Sequence, residues 1–219
     1  MTQRLDGVER AIGAFGRGEP VLIHDAEDRE GETDLVYPAA DVTPEAVARL
    51  RNDAGGLVCV ALSDPVAGAF DLPFVGEAVD HPTAGGDVAY DDRSSFSLSV
   101  NHRDTYTGIT DEDRARTIRA LADAAGSVPA YGLDDFAADF RSPGHVHLLR
   151  AAPALADRQG HTELGIALAG AAGREPAVVV CEMLDDASGR ALPVEAAREY
   201  ASRHGLAFVE GRALIEALS

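Results

Sequence analysis

The sequence has 219 residues and a formal net charge of −18 at pH 7, with 37 acidic against 19 basic residues. Such a negative charge disfavours partners with a phosphate backbone and anionic membranes. All 19 basic residues are arginine, so the chain offers no lysine for Schiff-base catalysis. Carbon–carbon chemistry on a carbonyl compound would therefore need another electron sink, most simply a divalent metal. An acidic, lysine-free composition also suggests a halophilic, high-salt cytoplasm, where salt screens the repulsion between carboxylates.

The start of the chain, MTQRLDGVERAIGAF, is charged and amphipathic and lacks the apolar centre of a signal peptide. No apolar run approaches the roughly 18 residues of a transmembrane span, so we expect a soluble, cytoplasmic protein. Cys59 and Cys181 each stand in an apolar run, which predicts buried strand thiols.

Seven apolar runs predict β-strands, and four segments with helical spacing and capping residues predict α-helices. The predicted strands are 21–24, 35–39, 57–62, 96–100, 145–151, 177–184 and 206–210. The predicted helices are 43–53, 110–126, 161–173 and 192–205. Because strands and helices interleave, we expect one layered domain over residues 1–219, of α/β or α+β class. The stretch 63–95, with its Gly, Pro and Asp, is the candidate for a mobile loop.

The segment DAEDREGETD (25–34) contains six acids and one arginine between two predicted strands. One interpretation is a solvated hairpin tip. The other is that some of these carboxylates hold a ligand, because Arg29 directly before Glu30 can lower carboxylate pKa values and fix their geometry. The positions around Gly31 do not fit a calcium-binding EF-hand loop.

Two further features join polar groups to predicted strands. His145 follows Pro-Gly at the start of a predicted strand, and His147 shares its face by period-two spacing. Glu182 ends a run of apolar residues, where a carboxylate is costly unless it is paired or belongs to a site. The alternatives are two polar residues on a half-buried strand and a strand-end acid that reaches solvent.

The loop DRQGHTELG (157–165) leads into a predicted helix and carries candidate anion-binding groups. Arg158, the Thr162 hydroxyl and the free N–H groups at the helix start would hold a phosphate or carboxylate. Simple helix capping is the alternative. Thr107, with the glycine after it, also precedes a capped helix and predicts either an anion contact or a turn.

In chain order, these segments resemble the 3,4-dihydroxy-2-butanone 4-phosphate synthase family of riboflavin biosynthesis. The resemblance is carried by DAEDREGETDLV, TYTGITDEDRARTI, SPGHVHLLRAA, DRQGHTELGIALAGAAGREPAVVVCEML and PVEAAREYASRHGLAFVEGRALI. It extends from residue 25 almost to the C-terminus.

The resemblance implies a lyase that converts D-ribulose 5-phosphate to L-3,4-dihydroxy-2-butanone 4-phosphate and formate, through metal-stabilised enediol intermediates. It also implies a requirement for Mg2+, which Mn2+ can replace. The implied architecture is a single α+β domain with a mixed β-sheet flanked by helices, working as a homodimer. We expect the stand-alone form without a fused cyclohydrolase.

The resemblance also implies roles for individual residues. The implied metal ligands are Glu30 and His161. The implied acid–base residues are His145, Glu182, Asp34 and Glu32. The implied substrate-binding residues are Arg29, Glu30, Asp34, Thr107, Arg158, Gln159, Gly160, His161, Thr162 and Glu182. Tyr106 departs from the family, since many relatives have threonine there.

Three alternatives remain at the level of sequence. A metal-dependent aldolase or isomerase acting on a sugar phosphate would release no formate. A non-catalytic sugar-phosphate-binding module would not need the acid–base set. An acidic, cation-buffering protein would bind metals at weak and interchangeable sites.

Overall fold

The computed structural model describes residues 2–25, 31–85 and 93–219, and the side chains from residue 6 onward within these ranges. The described residues form one seven-stranded mixed sheet with helices on both faces. The strands are β1 (Val21–His24), β2 (Thr33–Pro38), β3 (Cys59–Leu62), β4 (Phe96–His102), β5 (Phe140–Arg150), β6 (Ala177–Val180) and β7 (Ala207–Glu210). All seven predicted strands are therefore confirmed.

The helices are α1 (Thr2–Gly16), α2 (Pro44–Asp53), α3 (Asp64–Ala69), α4 (Val75–Ala78), α5 (Asp111–Gly126), α6 (Leu133–Asp139), α7 (His161–Ala171), α8 (Val194–His204) and α9 (Gly211–Leu218). The four predicted helices correspond to α2, α5, α7 and α8. Thr43 and Thr110 cap α2 and α5, since their hydroxyls accept from Ala46 N at 3.2 Å and Asp113 N at 3.1 Å. The described part of the chain has no helix both long and apolar enough to cross a membrane.

The strand order is β4-β5-β3-β6-β2-β1-β7. The pairs β1–β7 and β3–β5 are parallel, and the other neighbours are antiparallel. This confirms the mixed sheet. Most strand neighbours are distant in sequence, so long-range pairing determines the architecture.

Helices cover both faces of the sheet, which explains why its central strands are apolar without alternation. On one face, Val60 and Val179 pack in a core with residues from α2, α5 and α8. On the other face, Val36 and Val180 pack with residues from α1, α7 and α9. Successive residues of β6 therefore enter opposite cores.

Cys59 and Cys181 are buried free thiols, as predicted. Burial raises the pKa of the Cys59 thiol well above its usual range and that of Cys181 to about 12. Both side chains are therefore neutral at physiological pH.

Two strands that carry candidate site residues begin earlier in the structure than predicted from the sequence. β2 begins at Thr33, so Asp34 lies in the strand and not in the preceding loop. β5 begins at Phe140, five residues before the predicted start, because β4 continues through Asn101 and His102 and pairs with it there. The stretch 63–95 contains α3 and α4 in its described part, which the sequence pattern did not predict.

Candidate active site

Four candidate residues lie at the same end of the sheet. Asp34 and Glu182 form an isolated antiparallel bridge just beyond the last pairs of β2 and β6. Within the sheet, Val180 of β6 pairs with Cys59, and Cys59 pairs with His147 of β5.

Glu182 lies two residues beyond Val180, just past the end of β6. His145 lies two residues before His147 on β5, which runs antiparallel to β6, so both residues are at the same end of the sheet. Because strand side chains alternate between faces, Asp34 and Glu182 belong to the face covered by α7, and His145 lies beside a register shift in the β4–β5 pairing. We call these three residues the end row. His145 is two strand positions away from Glu182, since β3 lies between their strands.

His161, the first residue of α7, completes a compact cluster with part of the end row. One ligand atom from each of Asp34, His161 and Glu182 lies within 4.8 Å of the others. The His161 Nδ1 atom is 3.9 Å from Asp34 Oδ2. Asp34 is fully buried, whereas His161 and Glu182 are half-buried. Two carboxylates and an imidazole suit a hard divalent cation, because carboxylate oxygens are the ligands that Mg2+ prefers.

Local contacts fix the start of α7 and therefore the position of His161. Glu163 is 3 % exposed, and its carboxylate accepts from Gly160 N at 3.2 Å and from Ala152 N at 2.9 Å. These bonds fasten the first turn of the helix to the loop after β5. Gly165 faces β6 so closely that an added Cβ would lie 2.8 Å from Val178 Cγ2. The glycine thus lets α7 approach the sheet.

Some groups of the predicted anion-binding loop already form hydrogen bonds and ion pairs with other residues of the protein. Arg158 donates to the Ser95 hydroxyl, and its Nη1 atom lies 3.4 Å from Glu163 Oε2. The N–H group of Gly160 is bonded to the same carboxylate. Thr162 is fully buried, and its hydroxyl has no hydrogen-bond partner among the described residues. Gln159 is exposed.

His145 is held by Asn101, a residue that the sequence did not predict for the site. Asn101 is 3 % exposed and its Oδ1 accepts from His145 N at 2.8 Å. Its Nδ2 atom lies 3.2 Å from His145 Nδ1. In the sequence Asn101 is only a polar residue at a strand end, so identifying its contact with His145 required the β4–β5 pairing.

His147 lies in the regular part of β5, where it pairs with Cys59 and Ser99. Its ring meets Phe96 edge-on at a centroid distance of 5.9 Å. Burial lowers the pKa of the His147 imidazole below its usual range. The surroundings of His147 therefore favour the neutral form of its ring.

Thr107 lies in the loop before α5 and contacts the first turn of that helix. Its hydroxyl is 3.4 Å from Asp113 Oδ2, which also accepts from Gly108 N at 2.9 Å. The Gly108 N–H holds the pKa of the Asp113 carboxyl below its usual range. The Thr107 carbonyl oxygen lies 3.4 Å from Asn101 Nδ2, which links this loop to His145.

Part of the acidic hairpin lies outside the described residues, including Arg29 and Glu30. On either side of that gap, Asp25 N donates to the Glu32 carbonyl oxygen at 2.9 Å. Asp25 is buried and Glu32 is half-buried. The structure therefore brings both ends of the hairpin to the start of β2, beside Asp34.

Comparison with known proteins finds a family model that matches most of the chain. The family model described as 3,4-dihydroxy-2-butanone 4-phosphate synthase matches residues 9–217. The chain is 49 % identical over 219 residues to a 3,4-dihydroxy-2-butanone 4-phosphate synthase of Archaeoglobus fulgidus, covering 95 % of this chain and 92 % of the relative.

Solved structures agree with the sequence comparison. The crystal structure of the Candida albicans 3,4-dihydroxy-2-butanone 4-phosphate synthase gives a TM-score of 0.79 at 32 % identity, covering 97 % of both chains. A crystal structure of a 3,4-dihydroxy-2-butanone 4-phosphate synthase in complex with two magnesium ions gives a TM-score of 0.77 at 31 % identity, covering 96 % of this chain and 95 % of the other.

Proposed function

Because the chain belongs to the 3,4-dihydroxy-2-butanone 4-phosphate synthase family, we propose that the end row and His161 carry out the reaction of that family. The chain is an enzyme of riboflavin biosynthesis. The family reaction converts D-ribulose 5-phosphate to L-3,4-dihydroxy-2-butanone 4-phosphate and formate. The convergence of Asp34, His161 and Glu182 within 4.8 Å supports this assignment most directly.

A divalent cation fits this cluster, with His161 and Glu30 as protein ligands and Asp34 and Glu182 beside them. Glu30 lies outside the described residues and is assigned by its position in the family motif. The related structure in complex with two magnesium ions supports a cation of this kind. When bound, the cation supplies positive charge next to oxygens on which negative charge develops during the reaction.

The carboxylates of the end row are suited to move protons. The substrate must lose a proton from the carbon next to its carbonyl, rearrange its skeleton and release one carbon as formate. Asp34 is buried and Glu182 is half-buried, so the two carboxylates have different surroundings. Two carboxylates in different surroundings can divide the proton transfers of the reaction between them. Glu32, half-buried at the mouth of the hairpin, is a supporting carboxylate.

His145 is the third acid–base group, at the other end of the row. Its ring nitrogen Nδ1 is occupied by Asn101, so Nε2 is the atom that can exchange a proton with substrate. We assign it the protonation steps at the part of the substrate remote from Asp34.

The phosphate group of the substrate is assigned to the start of α7. The Thr162 hydroxyl is buried there, and Arg158 supplies a guanidinium charge. Gln159 and Gly160 directly precede this helix, and Thr107 is assigned to the same phosphate group by its position in the family motif. Arg29, which precedes Glu30, completes the substrate contacts from the acidic hairpin.

We also infer the wider properties of the enzyme. It works as a homodimer of one-domain chains, accepts Mn2+ in place of Mg2+, and resides in a high-salt cytoplasm without binding nucleic acid. The lysine-free composition and the net charge of −18 support the last two assignments. Family resemblance supports the homodimer.

The test is formate release from ribulose 5-phosphate with magnesium. Glu182→Gln should lower the rate by about 10²- to 10⁴-fold, the usual contribution of a general acid–base group. Glu112→Gln, which removes an exposed carboxylate on α5, is the control and should retain activity.

A chelator should abolish formate release, and added Mg2+ should restore it. Formate at the wild-type rate from Glu182→Gln would remove this residue from the mechanism. A folded wild-type protein that binds the sugar phosphate but forms no formate would overturn the proposed function.

A further inference from the structure

We propose that Asn101 is a positioning residue that holds neutral His145 in the tautomer with its proton on Nε2. This inference rests on the proposed function, because His145 is one of the acid–base groups assigned above. Asn101 lies on β4 and reaches His145 on the paired strand β5. It acts through the histidine and not by contact with substrate.

Two backbone groups determine which way the Asn101 amide faces. The His145 N–H can only donate, and its nitrogen lies 2.8 Å from Oδ1 of the amide. The Thr107 carbonyl can only accept, and its oxygen lies 3.4 Å from Nδ2. Exchanging the amide oxygen and nitrogen would set donor against donor and acceptor against acceptor. The orientation with Oδ1 toward His145 N is therefore the stable one.

With the amide held in this way, Nδ2 has a second proton available for the imidazole. The His145 Nδ1 atom lies 3.2 Å from Nδ2 and 3.3 Å from Oδ1. Because Oδ1 already accepts from the backbone, Nδ2 is the better partner, and it requires Nδ1 to be an acceptor. The proton of the neutral ring is then on Nε2, the atom that faces away from Asn101.

The surrounding packing keeps this arrangement rigid. A Cβ added at Gly108 would lie 2.1 Å from Asn101 Nδ2, so the loop backbone closes directly over the amide. Gly108 has a φ of +86°, a conformation that favours glycine. On the other side, a Cβ added at Gly144 would lie 1.9 Å from the Val100 carbonyl carbon. Two glycines thus let the backbone pack closely around Asn101, whereas the His145 side chain is exposed.

The experiment reads the tautomer from imidazole ¹⁵N chemical shifts of the protein labelled with ¹⁵N-histidine, recorded at a pH where those shifts themselves show the neutral ring. His145→Gln identifies the His145 signals by their loss. The wild type should show protonated Nε2 and unprotonated Nδ1. Protonated Nδ1 in the wild type would overturn the proposal.

Asn101→Asp is the informative variant, because it has nearly the same shape but cannot donate. A carboxylate accepts a hydrogen bond from an Nδ1–H group, so we expect His145 to change to the Nδ1-protonated form. Its kcat for formate release should fall by about 10- to 100-fold, the range usual for partners that orient a functional imidazole. KM should remain nearly unchanged, since Asn101 does not touch substrate.

Ser99→Ala is the matched control. The Ser99 hydroxyl accepts from Gly144 N at 3.2 Å, so it fastens the neighbouring backbone of β5 without reaching the ring. This variant should keep the wild-type tautomer and kcat. An unchanged tautomer in folded Asn101→Asp would overturn the proposal, and if that variant does not fold, the wild-type spectrum decides.

The two proposals fail in distinguishable ways. The tautomer is read without substrate, so it does not depend on formate release. Absence of formate from the wild type would remove the proposed function and leave the tautomer measurable. Formate release with the wrong tautomer would remove only the role of Asn101.

Discussion

His147 lies two residues from His145 on β5, yet the two side chains have different surroundings. The His145 ring is bonded to the Asn101 amide. His147 is half-buried against the edge of Phe96, and burial lowers its pKa. A histidine with a lowered pKa opposes folding in acid, because the unfolded chain binds its proton first.

This contrast predicts a pH-dependent effect of His147→Phe on stability. Above the unfolded pKa of about 6.5 the imidazole is neutral in both states and has no linkage effect. As the pH falls through that value, the wild type loses stability, and the loss levels off below the lowered folded pKa. The variant lacks this loss. Its stability relative to the wild type, measured as the difference in unfolding free energy, should therefore be greater at about pH 5.5 than at about pH 7.5.

Urea unfolding at the two pH values measures this difference. His81→Gln, which removes an exposed histidine, is the control and should leave the pH dependence of unfolding as in the wild type. An identical stability difference between His147→Phe and the wild type at both pH values would contradict the prediction.

The sequence predicted site residues that belong to local motifs better than residues whose contacts depend on strand pairing. Asp34, Glu182 and His161 were identified by motif, and the structure brings them together. Asn101 was missed because its role depends on a partner 44 residues away. No local pattern in SVNH distinguishes it from an ordinary polar residue at a strand end.

Helix α7 shows how one element positions a functional group. His161 is its first residue, so any displacement of the helix from the sheet also moves the imidazole. Gly165 sits at the contact with β6, whereas Gly170 is exposed, with no atom within 4 Å of an added Cβ. The same substitution at these two glycines of one helix therefore compares a tightly packed position with an open one.

We expect Gly165→Ala to destabilise the protein by about 1–3 kcal/mol, the usual cost of overpacking a tight interior. It should also lower formate release, because α7 and His161 must shift. Gly170→Ala should stabilise by about 0.5–1 kcal/mol, since alanine replaces glycine in a helix without a clash. Urea unfolding and the formate assay check both variants, and full activity in a destabilised Gly165→Ala would show that His161 tolerates the shift.

β5 shows why local propensity did not predict every element boundary. Its first half contains Pro143 and Gly144, residues that weaken a strand. The strand nevertheless begins at Phe140, because β4 pairs along this segment with Asn101 and His102. Gly144 allows the close approach of Val100. Long-range pairing thus outweighed propensity, as is common in sheets.

Across the whole molecule, the net charge of −18 opposes compaction. Salt weakens this repulsion, because the Debye length falls from about 10 Å at 0.1 M to about 3 Å at 1 M. The melting temperature should therefore rise by several degrees over this range of KCl, since about 1 kcal/mol corresponds to about 2–4 °C at this chain length.

Calorimetry at increasing KCl concentrations measures the response. A triple variant that removes exposed acids on three helices should show a smaller rise than the wild type: Glu112→Gln, Glu195→Gln and Glu216→Gln. The rise should level off once screening is complete. A melting temperature that increases steadily beyond that point, equally in both proteins, would indicate exclusion of salt from the surface instead of charge screening.

β6 is the sixth strand along the chain and the middle strand of the sheet. While the ribosome is still making residues 177–182, β2 and β3 lack the strand that joins them, and their open edges carry apolar side chains such as Val36 and Val60. A nascent chain in this state is vulnerable to pairing with other chains. Glu182 lies just past the end of this strand, so the end row is completed at the same late stage of synthesis at which β6 joins β2 to β3. The net charge of −18 acts against such pairing, because chains of like charge repel one another.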